Sequence, residues 1–280
     1  MPPEPYYMPN RIRSAYQLRY TWTGWPKRHR QFPPRPQPPF FDTIAERWEE
    51  EGLRPLDIQW SPTKITILIS AKPTVSPIFM AQSLKGRLYN GLRHNNTPTR
   101  FSRKFSVTTV GQTRRHEVEA YIERQVQRSD FASSPFKARL SAFTTTIPQV
   151  DLSTPSQTCS SRYWYNLHLV LVVDGRFRIS DDERLNDLHQ GTLRIAKVKR
   201  DRISTISVMP DHLHVALRPN IERSPEDTAL SYMNNLGHLL GVKALWQPSY
   251  YVGTFGEYDM NALNCRSASG SDHRGDSTIP

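Results

Sequence analysis

The chain has 280 residues, 37% of them hydrophobic, and 37 Lys and Arg against 26 Asp and Glu give it a net charge of +11. That length suits about two domains. No run of about 18 apolar residues offers a membrane span and Pro2 to Asn10 lacks an apolar signal core, so a soluble, cytoplasmic protein with no membrane partner is expected. Cys159 and Cys265 are too few for a disulfide framework and lack metal-site spacing.

Residues 1–14 read as a tail. Alternation from Ala15 to Thr23 predicts a strand, and Thr43-Ile44-Ala45-Glu46 is a capping box for a helix that Gly52 ends. The proline-rich stretch from Gln31 to Pro39 between them reads as loop. Two strands follow, Leu56 to Trp60 and Ile65 to Ile69. Ser76-Pro77, an N-cap before proline at the first helical position, then opens a second helix. A strand from Phe105 to Val110 and a helix after Gly111 complete a first module over 15–128. Residues 129–160 are rich in Ser, Thr and Pro, show no periodicity and read as a linker long enough for the modules to sit side by side or exchange an element. A second module over 161–263 repeats the order with Tyr165 to Val173, a capping box from Ser180 to Glu183, Ile203 to Val208, Leu213 to Leu217, a Ser224-Pro225 helix start, and Tyr250 to Phe255. Residues 264–280 read as a disordered tail. The order β-α-β-β-α-β in each module predicts an α+β fold of two tandem ferredoxin-like domains with antiparallel sheets.

The duplication is visible when the chain is shifted along itself. At an offset of 148, Pro62 falls on Pro210, Ser76-Pro77 on Ser224-Pro225 and Ser83 on Ser231. At 145, FSRKFSVTTVG (101–111) falls on WQPSYYVGTFG (246–256), matching aromatics, Val, Thr and the final Gly. A three-residue deletion between Ser231 and Trp246 accounts for the change of offset. Charge divides unevenly between the copies: residues 1–128 hold 21 Lys and Arg against 10 Asp and Glu, and residues 129–280 hold 16 against 16. The whole excess lies in the first part, which predicts that a polyanion meets module one.

His212 and His214, in Met-Pro-Asp-His-Leu-His, point to one face of a strand while Leu213 and Val215 point to the other, so two imidazoles could share a metal; two satisfied surface histidines would show the same spacing. His29, His94, His116, His168, His189, His238 and His273 lack such spacing and read as structural or exposed. On the helix after Gly111, Val118, Tyr121, Ile122 and Gln125 share a face. Tyr121 reads either as a core residue or as a nucleophile toward phosphorus beside a metal, with Gln125 adding an oxygen ligand.

The runs VMPDHLHVAL and WQPSYYVGTFG in module two, with SLKGRLYNGLR, FSRKFSVTTVG and YIERQ in module one, resemble the HUH single-tyrosine transposases of small insertion sequences, including the REP-associated tyrosine transposases. The resemblance spans most of 15–128 and 161–263. It implies cleavage of single-stranded or hairpin DNA through a 5′-phosphotyrosine, a free 3′-hydroxyl, and rejoining without ATP, with Mg²⁺ or Mn²⁺ as the metal. Two departures stand out. Module one has Lys64 and Thr66 at the His-x-His positions, and module two has Arg266 and Gly270 at the positions of Tyr121 and Gln125. Each module lacks what the other keeps. The resemblance therefore implies a fused pseudo-dimer with one composite site: Tyr121 as nucleophile, with His212, His214 and Gln125 on the metal. Further self-association is also open. Arg100, Arg103, Lys104, Arg114, Arg115, Lys85 and Arg87 are the expected DNA contacts, and Trp246, Tyr250 and Tyr251 read as core residues or stacking platforms. A catalytically inactive hairpin-binding protein and a relaxase- or replication-initiator-like nickase are the alternatives.

Overall fold

Leu18 divides what alternation predicts as one strand. In the computed structural model, which describes residues 5–128 and 133–257, β1 (Arg13–Gln17) and β2 (Arg19–Pro26) flank this buried leucine and belong to different sheets. Expectations for the tail from Ser267, and for Arg266 and Gly270, lie outside the described residues.

After β2 come α1 (Phe40–Glu50), β3 (Leu53–Trp60), β4 (Ile65–Ala71), α2 (Pro77–His94) and β5 (Phe101–Val110). The expected cap at Thr43 is not used. Phe40, Ile44 and Trp48, four residues apart, are the buried stripe of α1, so the helix starts after Pro39 and Thr43 donates its N–H to the Pro39 carbonyl inside the first turn. Ser76 does cap α2, its hydroxyl accepting from the Phe79 N–H at 3.2 Å. Next are α3 (Arg115–Glu123), α4 (Gln125–Arg128) and α5 (Ser134–Ser141). The second half continues with β6 (Thr144–Thr146), β7 (Ser156–Gln157), β8 (Ser161–Trp164), β9 (Leu167–Val172), α6 (Asp182–Lys199), β10 (Arg202–Met209), β11 (His212–Arg218), α7 (Pro225–Leu239) and β12 (Ser249–Thr254). The cap of α6 is Asp181 rather than Ser180, its carboxylate accepting from the Glu183 N–H. Ser224 and Asp227 form the reciprocal box at the start of α7.

Two six-stranded sheets result, ordered β3-β4-β2-β5-β8-β7 and β1-β12-β9-β11-β10-β6. Their registers restate the repeat. On β2, Thr21 stands between Leu68 and Thr108; on β9, His168 stands between Ala216 and Gly253. Ala216 follows Leu68 by 148 positions and Gly253 follows Thr108 by 145, the two offsets found in the sequence.

Each half lends a strand to the other. β1 pairs parallel with β12, Gln17 opposite Gly253, and β8 pairs parallel with β5, Trp164 opposite Thr108. All other pairings within the sheets are antiparallel. Equivalent threonines bind the crossing points. The Thr109 hydroxyl lies 2.8 and 2.7 Å from the carbonyl oxygens of Trp164 and Phe255, and that of Thr254 lies 3.2 and 2.7 Å from those of Gln17 and Val110. Gly111, which follows β5, must be glycine because a Cβ there would sit 2.6 Å from the Thr254 carbonyl oxygen. That accounts for the final Gly of the motif's first copy.

The segment between the modules is more ordered than its composition predicts. β6 extends the second sheet by pairing with β10, and its three residues are too few to register a period of two. Arg218, buried on β11, fastens the rest. Its guanidinium donates to the Asn166 side-chain oxygen at 2.9 Å and to the carbonyls of Thr154 and Leu152, each at 2.6 Å. Burial lowers its pKa to about 10, which leaves it charged at neutral pH. Arg218→Ala strands those acceptors, and we expect a loss of about 3 kcal/mol or more, read as a lower urea midpoint with an unchanged m-value.

Candidate active site

Helix α3 begins one residue after Arg114, just beyond β5 of the first half, yet it packs on β10 and β11 of the second. Its buried residues Val118 and Ile122 meet Ala216, Leu152 and Phe255 in a small core of their own, separate from the main one. Ala216 is two residues from His214 and so shares its face of β11, whereas Leu213, Val215 and Leu217 enter the main core. The helix therefore lies on the histidine-bearing face. Both its ends are tied to the second half: Arg115 donates to Glu257 at 2.5 Å, and the Thr146 hydroxyl donates to Glu123 at 2.5 Å.

This docking brings Tyr121 to the histidines. Its ring centroid is 5.6 Å from that of His214 and 6.0 Å from that of His168, and His212 lies 4.9 Å from His214. A cleft of about 810 Å³ runs over Tyr121, His168 and His214, lined on the helix side also by His116, Glu117, Arg124 and Arg128 and on the sheet side also by Tyr251; His212 lies outside its lining. The Arg128 guanidinium lies 5.2 Å above the Tyr121 ring, placing positive charge beside the hydroxyl-bearing side chain. Tyr121 is partly exposed while its helical neighbours Val118 and Ile122 are buried, so its side chain opens to the cleft.

Both histidines of the pair have one ring nitrogen engaged. His212 Nδ1 lies 2.6 Å from an Asp211 carboxylate oxygen, and Asp211 in turn pairs with Arg176 at 3.3 Å. His214 Nδ1 lies 3.0 Å from His168 Nε2. A metal-binding imidazole characteristically uses one nitrogen as ligand and holds a partner with the other, which fixes tautomer and orientation. The arrangement fits that requirement, with Nε2 of His212 and of His214 as the donors. No group of three or more His, Cys, Asp or Glu side chains among the described residues is disposed to hold a metal ion. Two imidazoles are what the sheet supplies; other positions would fall to an amide, water or phosphate oxygen. Gln125 is buried at the start of α4, where its amide nitrogen donates to the Tyr121 carbonyl at 3.1 Å.

Burial holds His214 neutral well below its ordinary range, and lowers His168 to about 4. Neutral imidazole is the form that binds metal. Because the unfolded chain takes up the His168 proton near pH 6.5 and the folded chain only near 4, the stability that neutral His168 contributes is complete above 6.5 and declines as pH falls through that window; burial of His214 acts in the same direction. With EDTA present, we expect His168 to account for up to about 3 kcal/mol of this loss, and His168→Asn to flatten urea-melt stability between pH 7 and 4.5.

Several expected residues lie elsewhere. His168, which its spacing marks as structural or exposed, stacks on His214 with centroids 5.2 Å apart. The signal for it was strand parity: on β9, His168 and Val170 share a face, and Val170 is opposite His214. Tyr251 joins it, 6.0 Å from His168. Trp246 and Tyr250 are buried, in keeping with a core role. Arg100 and Arg103 line a different cleft of about 820 Å³ with Lys27, Arg28 and Tyr89. Lys85 borders it, but its ammonium group donates to the carbonyls of Ser102, Arg103 and Lys104 and is lowered to about 8 by burial. Arg87 is paired with Glu51, and Arg115 with Glu119 and Glu257. These three cations have internal partners. Arg114 occupies the N-cap position of α3, its backbone N–H donating to the Glu117 carboxylate at 2.7 Å, and Lys104 lines a third cleft.

Residues 161–264 match the family of IS200-like transposases. A crystal structure of a Deinococcus radiodurans R1 protein assigned as a transposase aligns with 39% of this chain and 92% of its own, at 18% identity and a TM-score of 0.30. No curated protein matches the chain. No helix among the described residues is long and apolar enough to cross a membrane.

Proposed function

We propose that this chain is a single-strand DNA transposase with one composite active site, in which module one (15–128) supplies the nucleophile and module two (161–263) the metal-binding face. The observation that carries the reading is the position of Tyr121, 5.6 Å from His214, on a helix that leaves its own half to dock on the other. The reciprocal pairing of β1 with β12 and of β8 with β5 supports a fused pseudo-dimer, since each half completes the other's sheet. The family match over 161–264 supports the choice of DNA as substrate.

In this reading His212 and His214 would hold Mg²⁺ or Mn²⁺, with the side-chain oxygen of Gln125 as the third protein ligand. The metal would supply charge withdrawal from the scissile phosphate and fix its orientation. The Tyr121 hydroxyl oxygen attacks phosphorus and gives up its proton; the P–O3′ bond breaks, and the departing 3′-oxygen takes a proton to become a hydroxyl. Because one phosphoester replaces another, the reverse step rejoins strands without ATP. Arg128 and Arg124 stand at the cleft where the phosphate charge would lie. Asp211 and His168 orient the two imidazoles. The test is a denaturing gel of labelled single-stranded hairpin DNA from the sequences flanking the gene: a covalent protein–DNA band with Mg²⁺ or Mn²⁺ is expected, and its absence on every such hairpin would leave a DNA-binding protein without this chemistry.

A further inference from the structure

On the first sheet, the place equivalent to the candidate active site is a cleft of about 560 Å³ lined by β2, β5, β8, the turn from β7 into β8, and Lys64 just before β4. Register fixes the equivalences. Thr23 corresponds to Val170, Ser106 to Tyr251 and Lys64 to His212, because Thr23 is opposite Ser106 and Thr66 as Val170 is opposite Tyr251 and His214. The metal-binding chemistry is gone. Thr21 replaces His168, Thr63 replaces Asp211, and Thr66 replaces His214, its hydroxyl lying 3.2 Å from that of Thr23.

What stands there is more than a loss. Lys64, Lys104 and Arg162 line the cleft, all exposed, and no carboxylate lines it. Trp25 and Trp164 add two half-buried indoles, and the Arg162 guanidinium lies 4.9 Å over the Trp164 ring. In the other half, the positions equivalent to Lys104, Arg162, Trp25 and Trp164 are Ser249, Ala15, Val172 and Gln17. Cations and aromatics thus occupy this copy where the catalytic copy has neutral, mostly smaller residues. A cationic groove with indole faces is the combination that holds a single nucleic-acid strand, phosphates on the cations and bases on the rings.

We propose that this cleft is a second, non-catalytic binding site for single-stranded DNA, holding a strand while the composite site cuts. The proposal rests on DNA being the substrate, and binding without cleavage tests it separately from the chemistry. The probe is fluorescein-labelled oligo-dT of 12 nucleotides, titrated by anisotropy into Tyr121→Phe protein across a salt series. In that background Lys64→Ala with Arg162→Ala should weaken binding by about ten-fold or more and lower the log–log salt slope by about 1.4, close to 0.7 for each phosphate contact. Trp25→Ala should weaken it by at least about five-fold with the slope unchanged, as loss of a stacking face requires. The charge variants replace exposed side chains, and circular dichroism checks that they fold. Affinity and slope unchanged in the double variant, or no binding of the oligonucleotide by the parent, would overturn the proposal. Failure of wild-type protein to form a covalent adduct would instead count against the catalytic reading alone.

Discussion

Tyr121→Phe protein should form no covalent adduct with hairpin DNA while binding it nearly as well as wild type. The substitution removes one oxygen from a side chain that packs edge-on against His168 and His214, and the ring contacts survive. Loss of the nucleophile should lower cleavage by at least about 1,000-fold; affinity should change by less than about three-fold. The readouts are a denaturing gel for the adduct and anisotropy for binding. Residual adduct at wild-type levels would transfer the nucleophile to another residue.

Removing either imidazole proposed to bind the metal should be nearly as damaging. His212→Ala or His214→Ala should depress cleavage by about 1,000-fold at any practical concentration of Mg²⁺ or Mn²⁺. Asp211→Asn and His168→Gln should behave differently, because they act through the rings they orient. A loss of about 10- to 100-fold in metal affinity is expected, recovered when the metal is raised, with the saturated rate changed much less. Titrating cleavage against Mn²⁺ separates the two classes. A His212→Ala protein that cleaves normally would remove the metal from the account.

Much of this arrangement was legible in the sequence because it is written in periodicities. The element order, the Ser76 and Ser224 caps and the parity of His212 and His214 are local signals that need no knowledge of the fold. The offsets 148 and 145 carry further, since two elements with one register must be built alike. What stayed hidden depends on partners distant in the chain. Leu18 continues the alternation of its neighbours, and only the second sheet's open edge beside β12 decides that β1 leaves β2 there. His168 gives no spacing signal, because its partner His214 is 46 residues away across a strand pairing. The ion pairs were hidden for a related reason: Arg87 pairs with Glu51, and Arg115 with Glu119 and Glu257, and a count of charges cannot see such partners.

The central claim is that Tyr121 and the histidines of one chain serve the same site. Mixing two inactive proteins, Tyr121→Phe and His212→Ala, in equal amounts with labelled hairpin DNA and Mn²⁺ tests this directly, beside wild type as the positive control. Each chain then has its own composite site broken, so the mixture should form no more adduct than either protein alone, whereas adduct restored toward about a quarter of the wild-type amount, the share of random pairings that join an intact tyrosine to intact histidines, would show that Tyr121 works on the histidines of a second chain.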